Sequence, residues 1–575
     1  MRAHRGYPDR VTDTPLTLAQ PEDTHSGAEW EAAAAAVLRK SRKLAEDDAD
    51  SLVWDRLTRS TLDGIPITPL GTPADLDGLQ TAGRPTRAGA WDIRAHYGHA
   101  DAALLNEHAL VDLDGGVTSM WVSTADGADL PDVLDKVLLD LAPVAISSPA
   151  PLAAARAFAA LVAERYVDPH PHTNLGADAA TASPEDLVAV ARLALDLGVL
   201  GVVVDGTAVH DRGASDVQEL AAALATGVAA LRTLTDAGIG VAEAAALIEF
   251  RYAATAEQFP TIAKLRAARR LWARVLELSG VEDADAREQR QHAVTSRPML
   301  GKYDPYVNML RTTVAAFAAG VGGADAVTVL PFDAPLGQPD GFGRRIARNL
   351  SHLLIDESHV AEVADPAGGS YVVEKLTDDT AVAAWELFAR LDAGEDLEPL
   401  IADVVARREQ EVATRKRPLT GISEFPNLAE TLPERAPLVD AGEPVRRYGA
   451  SFEALRDEPA AARVFLATLG PIAQHTARAT FATNLFAAGG VAVDPAGPTA
   501  GVEDLLAAYD GQSVACLAGA DAAYGEWGAE AAAALREAGA TRVIIAGKPT
   551  DYTDDSCAMG VDALAFLTRT REALA

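Results

Sequence analysis

Histidines and clustered basic side chains are the residues of this sequence whose spacing could support chemistry. His170 and His172 lie two positions apart in DPHPHT, which could suggest a metal site. No third ligand follows at a convincing spacing, so a polar run in a proline-rich loop is the favoured interpretation. Arg415, Lys416 and Arg417 form the clearest basic cluster of the first 425 residues and could meet a phosphate. We expect them to contact a partner protein or solvent instead.

The overall composition excludes several functional classes. Cys516 and Cys557 are the only cysteines, which excludes a disulfide framework and a thiolate metal cluster. The 83 acidic and 50 basic residues give a net charge of -33, which opposes nucleic acid and anionic membranes, although a local basic cluster could still bind a small anion. No apolar stretch approaches the roughly 20 residues of a membrane span, and the N-terminus lacks the apolar core of a signal peptide. The sequence therefore predicts a cytoplasmic protein.

Short β-branched runs alternate with Ala/Leu-rich helical stretches between residues 85 and 425. This alternation indicates parallel strands joined by crossover helices. With probable strands near HTNLGA and HVAEVADPAGGSYVVE, eight units are counted, which predicts a (β/α)8 TIM barrel with functional loops at the C-terminal ends of its strands. A doubly wound sheet is less favoured, because no single Gly-rich nucleotide turn follows the first strand. The six clearest runs are VTSMWVS (117–123), PVAISS (143–148), LGVVVDG (200–206), ALIEFRY (246–252), HAVTSR (292–297) and AVTVLPF (326–332).

The remaining segments complete a chain of 575 residues, too long for a single core of roughly 250 to 300 residues. Residues 1–84 are predicted to form a polar tail, to about residue 28, followed by a helical and extended arm that contacts a partner. Residues 426–458 have the Pro/Glu/Arg-rich composition of a linker. Residues 459–575 repeat the βα alternation, which predicts a flavodoxin-like doubly wound domain.

Three stretches closely resemble methylmalonyl-CoA mutases. They are YDPYVNMLRTTVAAFAAGVGGADAVTVLPFD (303–333), RRIARNLSHLLIDESHVAEVADPAGGSYVVE (344–374) and RKRPLTGISEFPN (415–427), and weaker likeness covers nearly all of the chain after residue 28. The resemblance implies an N-terminal arm, a coenzyme A-binding (β/α)8 barrel and a C-terminal cobalamin domain. In this family, adenosylcobalamin held between barrel and C-terminal domain generates the radical that interconverts methylmalonyl-CoA and succinyl-CoA.

The cobalamin motif of the family is degenerate in this sequence. Catalytic members use DxHxxG, in which His ligates cobalt, Asp holds the other ring nitrogen and Gly leaves room for the displaced nucleotide tail. The resemblance places this motif on AQHTAR (473–478), where only His475 matches. Ala473 cannot orient an imidazole, and Arg478 puts a long charged side chain where the pattern has none. We interpret His475 as an ordinary polar residue near a helix start, with vestigial cobalt ligation as the alternative.

The substrate loops are altered as well. Catalytic members have a loop resembling ISGYHMQEAGA, whose Tyr and His enclose the substrate and radical; here VDGTAVHDRGA places Thr207 and Ala208 at those positions. His210 lies two residues further and is expected to be a surface histidine. Near the start of the barrel, the family's TIRQYAGFST corresponds to DIRAHYGHAD, which places His96 at the Tyr position. A shift of one residue could retain the tyrosine as Tyr97, so this position stays open.

These losses predict a non-catalytic partner of an intact, large catalytic mutase subunit. In such a heterodimer, adenosylcobalamin and the methylmalonyl-CoA or succinyl-CoA would be bound by the partner, and a barrel freed of substrate should fill its interior with larger side chains. An active acyl-CoA mutase with an atypical cobalamin site is the alternative. A separate coenzyme A- or corrin-binding module is less favoured, because it would not need the whole catalytic architecture.

Overall fold

The structure is a computed structural model that describes residues 24–79, 87, 89–98, 100–438 and 444–575. Most of the predicted N-terminal tail lies outside the described residues. The chain divides into two compact units, Met1–Gly71 and Thr72–Ala575. Within the described residues, no helix is both long enough and apolar enough to cross a membrane.

The first unit has a small apolar core of its own. Helix α1 begins with a capping box between Ser26 and Glu29, which satisfies free backbone donors of its first turn. The rings of Trp30 and Trp54 lie 4.7 Å apart, and Trp54 Nε1 donates a 2.7 Å hydrogen bond to Glu31. The elements of this unit are α1 (Gly27–Lys40), α2 (Val53–Leu57) and the antiparallel pair β1 (Arg59–Ser60) and β2 (Pro66–Ile67).

The second unit begins with a closed barrel of eight parallel strands, in the order β10-β3-β4-β5-β6-β7-β8-β9. This confirms the predicted fold class. Neighbouring strands follow one another along the chain, as right-handed βαβ crossovers require, and the first strand closes on the last. The strands are β3 (Asp92–Tyr97), β4 (Ser119–Ser123), β5 (Val144–Ser147), β6 (Asn174–Asp178), β7 (Leu200–Asp205), β8 (Ile248–Ala254), β9 (Arg290–Thr295) and β10 (Ala326–Thr328).

Helices surround the barrel, and their apolar faces pack on the outer faces of the strands. They are α3 (Ala102–Asp114), α4 (Leu130–Val133), α5 (Pro151–Arg165), α6 (Pro184–Leu197), α7 (Thr207–Asp211), α8 (Asp216–Asp236), α9 (Val241–Ala246), α10 (Gln258–Leu278), α11 (Val307–Val321), α12 (Gly341–His352), α13 (Tyr371–Asp392) and α14 (Glu398–Ala413). Helix α12 continues into a π-helical segment, Leu353–Glu357. Short 3₁₀ turns occur at Asp50–Leu52, Pro73–Leu76, Asp285–Arg287 and Ala334–Leu336.

One of the predicted strands was wrong. The stretch 359–374 forms turns and then the first residues of α13, not a strand. The second valine of its β-branched pair, Val373, is buried, and the next buried residues, Leu376 and Thr377, follow it at helical spacing. This longer pattern determines the local structure. The remaining barrel strand is β3, which the count of apolar runs missed because two of its inward positions are Arg94 and His96.

The C-terminal part of the second unit is a five-stranded parallel sheet in the order β12-β11-β13-β14-β15, flanked by helices. The segment predicted as a linker contains helix α15, whose Phe452 is buried in the core of this sheet with Phe486 and Phe566. The elements are α15 (Ala450–Asp457), β11 (Val464–Leu469), α16 (Ile472–Ala488), β12 (Val493–Pro495), α17 (Val502–Ala508), β13 (Val514–Gly519), α18 (Asp521–Ala523), the π-helical Tyr524–Gly528, α19 (Ala529–Glu537), β14 (Arg542–Ala546), β15 (Asp555–Cys557) and α20 (Ala563–Leu574).

Candidate active site

A buried ion pair spans the centre of the barrel. Arg94 on β3 and Glu249 on β8 are not on neighbouring strands, yet Nη1 of the arginine lies 2.9 Å from Oε2 of the glutamate. Their side chains are 0% and 1% exposed. Arg94 Nε also donates to Ser119 Oγ at 2.9 Å. Burial raises the pKa of Glu249, but the charges of Arg94 and Arg290 outweigh it and hold that pKa below its ordinary value. The pair is therefore charged, although Nη2 of Arg94 has no hydrogen-bond partner among the described residues.

Two residues further along the same strands, larger side chains occupy the barrel interior. The guanidinium carbon of Arg251 lies 4.0 Å from the ring centroid of Trp121, a cation–π contact. Arg251 Nη1 lies 2.7 Å from Asp205 Oδ2, and the ring of His96 packs 4.2 Å from that of Trp121. Charge and aromatic area thus fill this part of the barrel interior.

His292 completes this interior network as a neutral side chain. Burial, followed by the charges of Arg94 and Arg251, places the pKa of His292 well below its ordinary value. Its Nδ1 accepts a 3.2 Å hydrogen bond from Arg251 Nε, so its Nε2 donates to Thr328 Oγ1 at 2.7 Å. Both ring nitrogens are committed to structural hydrogen bonds.

The loop positions that carry a Tyr and His in catalytic mutases serve local structure here. Thr207, at the start of α7, bonds Asp205 Oδ1 through both its backbone N–H, at 2.9 Å, and its hydroxyl, at 2.5 Å. Asp205 in turn pairs with Arg251, so Thr207 supports the interior network. Ala208 is exposed and carries only a methyl group. Neither residue carries the phenol or the imidazole of the family's pair.

The prediction that His210 is a surface residue was wrong. It is 2% exposed, with Nε2 2.7 Å from Ser296 Oγ and Nδ1 3.3 Å from Glu219 Oε2. The loop is helical from Thr207 to Asp211, so His210 lies three residues from Thr207 on the same inward face of α7. The buried Glu219 also pairs with Lys264, whose Nζ lies 2.7 Å from Glu219 Oε2. His210 therefore belongs to a second buried polar cluster.

The alternation of side chains along β3 resolves the position that the sequence left open. His96 faces the interior and lies 2.9 Å from Ser123 Oγ through Nε2. Tyr97 faces outward to α3, where its hydroxyl lies 3.5 Å from Asp112 Oδ2. Because neighbouring strand residues point to opposite faces, a shift of one residue would move the tyrosine away from the barrel interior. Tyr97 therefore does not replace the family's tyrosine.

In the C-terminal domain, His475 lies in the first turn of α16, directly after β11. It is 8% exposed, and neither ring nitrogen has a hydrogen-bond partner in the described part of the chain. Burial lowers its pKa, which favours the neutral ring. Ala473, at the position of the family's aspartate, offers no acceptor to orient this ring.

Arg478 occupies the position where the family's pattern has glycine. Its Nη1 donates to Gly519 O at 2.7 Å, Nη2 pairs with Asp521 at 2.5 Å, and the guanidinium lies 4.9 Å from the ring centroid of Tyr524. The side chain thus lies across the carboxyl edge of β13, beside β11. A base-off cobalamin needs an oriented histidine and an open channel for its nucleotide tail, and these residues do not fit it.

The predicted basic cluster at Arg415, Lys416 and Arg417 is matched by carboxylates. Arg415 Nε lies 3.2 Å from Glu424, Lys416 Nζ lies 2.8 Å from Glu411, and Arg417 Nη1 lies 2.7 Å from Glu257. Three neighbouring acids already neutralise this cluster, which disfavours a phosphate.

The two neighbouring histidines of the proline-rich loop contact each other. The rings of His170 and His172 lie 5.0 Å apart. Across the described ranges, no group of three or more His, Cys, Asp or Glu side chains is arranged to hold a metal ion.

Comparisons with known proteins identify the family. The sequence profile of methylmalonyl-CoA mutase matches residues 199–492. A methylmalonyl-CoA mutase small subunit from Streptomyces virginiae is 45% identical, over 97% of this chain and 98% of its own length. The chain belongs to the methylmalonyl-CoA mutase family. The mutase small subunit of Propionibacterium freudenreichii subsp. shermanii is 34% identical over 98% of this chain and 97% of its own, and a probable small subunit of Mycobacterium bovis is 40% identical over 90% and 92%.

The interior network of this mutase-family barrel was missed by the sequence reasoning. Its signal was present in two strand segments, since DIRAHY and IEFRY carry charged residues two positions apart. Alternate positions of a strand share one face, so Glu249 and Arg251 had to point together to one side. Charges at interior positions of a barrel are expensive unless they are paired, and that rule would have predicted partners on other strands.

Proposed function

We propose that this chain is the small, non-catalytic subunit of a heterodimeric, adenosylcobalamin-dependent methylmalonyl-CoA mutase. In this assignment, a large subunit interconverts methylmalonyl-CoA and succinyl-CoA and holds the cobalamin. The observation that carries the proposal is the filled barrel interior, where Arg94, Glu249, Trp121 and Arg251 pack together.

The filled interior argues against substrate binding on energetic grounds. A coenzyme A ester entering this barrel would have to displace a buried ion pair and a cation–π pair. Separating one partner of a buried pair costs about 3–5 kcal/mol, because the other charge is left uncompensated. The family resemblance implies a coenzyme A-binding barrel, which needs open space for its ligand. The interior side chains therefore support the proposal that this barrel is a packed core and does not bind substrate.

Two further observations support placing the cofactor on the partner. Arg478 is braced against Gly519 and Asp521, where an open channel would be needed. His475 has no acceptor at residue 473 to fix its ring, so cobalt coordination would lack its orienting group. Independent losses in the two domains agree with a chain that no longer carries out the reaction.

The decisive experiment pairs equivalent substitutions in the two subunits. This chain is co-expressed with a large subunit whose DxHxxG motif is intact, and succinyl-CoA formation and adenosylcobalamin absorption are measured. We expect His475→Ala to leave turnover within about twofold, whereas alanine at the histidine of the large subunit's motif abolishes it. The isolated small chain should show neither cofactor binding nor turnover. Stoichiometric cobalamin binding with turnover by the isolated chain would falsify the proposal.

The partner contact is tested by deleting residues 1–71. This segment forms its own compact unit with an independent apolar core, so its removal should leave the barrel and C-terminal sheet folded. If the arm clasps the large subunit, the deletion should weaken the heterodimer at least about tenfold in sedimentation or gel-filtration titrations, about 1.4 kcal/mol of association free energy. A complex of undiminished affinity would show that residues 1–71 do not contribute to binding of the large subunit.

One observation favours an alternative, an active acyl-CoA mutase with an atypical cobalamin site. Both ring nitrogens of His475 lack hydrogen-bond partners within the described residues, so one of them could coordinate a metal. The His475→Ala substitution distinguishes the two functions. An active chain would lose turnover on this change alone, whereas a non-catalytic subunit would retain it.

A further inference from the structure

A cavity of about 460 Å³ lies between the barrel wall and the helix layer. It is bounded by the outer faces of β3 and β10 on one side and by α3 and α12 on the other, and it extends to the loops that follow β9 and β10 and to residues 438 and 444–447. At one end it also reaches Arg94 and His96, which are engaged in the barrel interior. The volume falls within the roughly 300–1,000 Å³ of small-molecule sites. Its walls are mainly apolar, including Ile93, Leu105, Val117, Val327, Val329 and Ala347.

One face of α12 supplies the polar groups of this cavity. Arg344, Ala347, Arg348 and Ser351 follow the spacing i, i+3, i+4, i+7, so they project to the same side of the helix. Arg348 Nη1 bonds Asp112 Oδ1 at 2.5 Å. A Cβ atom at Gly115 would collide with the Arg348 guanidinium, so this glycine lets Arg348 lie against the C-terminal end of α3.

Two neighbouring groups retain unused hydrogen-bonding capacity. Ser351 is fully buried, and its Oγ has no partner among the described residues. Arg344 Nη1 donates to Pro339 O at 3.2 Å, but its Nε lies 3.6 Å from Asp112 Oδ2, too far for a hydrogen bond. Buried donors without acceptors are unfavourable and commonly mark a missing ligand. Neither the Ser351 hydroxyl nor Arg344 Nε finds an acceptor among the described residues.

The charge balance indicates what that acceptor carries. Three arginines of the lining, Arg94, Arg297 and Arg447, each pair with a carboxylate of their own. Arg344 and Arg348 instead share the single carboxylate of Asp112, which leaves one positive charge in excess. The nearby His108 adds no further cation, because burial and Arg344 lower its pKa. A monoanion balances the excess charge, whereas a dianion such as phosphate would be repelled by Asp112. The long apolar wall suits an unbranched alkyl chain.

We propose that this cavity binds a medium-chain monocarboxylate. The carboxylate accepts hydrogen bonds from the Ser351 hydroxyl and the Arg344 guanidinium, and the alkyl chain packs along Ile93, Val117 and Val327. The residues proposed to contact the ligand lie on the outer side of β3 and β10 and on α12, and none of them is used in mutase chemistry, so the proposal does not depend on the function proposed above.

The test is a calorimetric titration of the full-length chain with decanoate and with the uncharged decan-1-ol. We expect one decanoate per small subunit and at least about tenfold weaker binding of decan-1-ol, since the alcohol lacks the anionic acceptor. Arg344→Gln should weaken decanoate binding at least about tenfold and Ser351→Ala about fivefold. Ala347→Phe should abolish binding by filling the cavity.

Arg345→Gln is the matched control, because it removes the same charge from the exposed side of α12. It should bind decanoate like the unaltered protein. Thermal melts establish that each variant is folded, and Ser351→Ala keeps the proposal testable if Ala347→Phe does not fold. The proposal is overturned if decanoate shows no saturable binding up to about 1 mM. It is equally overturned if decan-1-ol binds as well as decanoate, or if Arg344→Gln and Ser351→Ala bind like Arg345→Gln.

Discussion

The barrel interior and the carboxyl edge of the C-terminal sheet differ in how completely their buried polar side chains are partnered. In the barrel, most polar groups around Arg94 and Glu249 have partners, although Nη2 of Arg94 and of Arg251 lack one among the described residues. At the sheet edge, His475 is left without a partner, and Arg478 reaches an aspartate whose side chain is 89% exposed. An enclosed interior that loses its ligand must be refilled, because empty volume and unpaired charge are both unfavourable. At the sheet edge, water can reach the Arg478–Asp521 pair, whereas the ring nitrogens of His475 are buried and stay without partners among the described residues.

The largest difference between the two regions should appear when the barrel pair is broken. Glu249→Gln leaves Arg94 buried without a counter-charge and should lower the free energy of unfolding by about 3–5 kcal/mol, measured by urea denaturation. The double variant Arg94→Met/Glu249→Leu is the control and should recover most of this loss, since it leaves no charge uncompensated. A loss below about 1 kcal/mol in the single variant would mean that the interior pair is no more important than a surface one.

The second test uses pH at the rim of the barrel. Burial raises the pKa of Asp211 to about 6, although Arg297, 2.7 Å away, opposes the shift. Between about pH 4 and 6 the folded state therefore binds more protons at this site than the unfolded state, and the free energy of unfolding should fall as pH rises. Asp211→Asn should remove about 1–3 kcal/mol of this dependence. Asp521→Asn, at the exposed sheet edge, is the control and should change the profile little.

Arg478→Ala should have a smaller effect than either barrel change. It removes one hydrogen bond to Gly519 O and an ion pair with the exposed Asp521. We expect a loss of about 0.5–1 kcal/mol in thermal or urea unfolding, since water can replace both contacts. A loss as large as that of Glu249→Gln would contradict the expectation that water can replace the contacts of Arg478 at the sheet edge.

The smallest expected effect, and the only one of opposite sign, is that of His475→Leu. This change removes two unpartnered ring nitrogens from a buried position, so the free energy of unfolding should stay constant or rise by up to about 1 kcal/mol. Urea denaturation at neutral pH measures the change. Destabilisation by about 2 kcal/mol or more would show that the imidazole still has a structural partner.

The fold was predictable wherever local patterning agrees with tertiary position. LGVVVDG became Leu200–Asp205 because a β-branched apolar run suits a strand buried on both faces. The segment SYVVE was wrongly predicted as a strand, because its valines lie in the first turn of α13. The helical spacing of buried residues becomes clear only further along that helix. The departures from the cobalamin motif could be identified from the sequence alone, position by position. The interior network and the burial of His210 were not, because they depend on partners brought together by barrel closure.

The Arg94–Glu249 pair has a consequence for how the chain folds. Its members lie 155 residues apart, and one of them is on the strand that closes the barrel against β10. Contacts of such long sequence separation form late and slowly, because the loop-closure entropy must be overcome before they stabilise anything. A partly assembled barrel would expose two lone charges to its forming core. Barrel closure is therefore expected to be all-or-none, and a nascent chain gains this stabilisation only after at least its first six barrel strands have been synthesised.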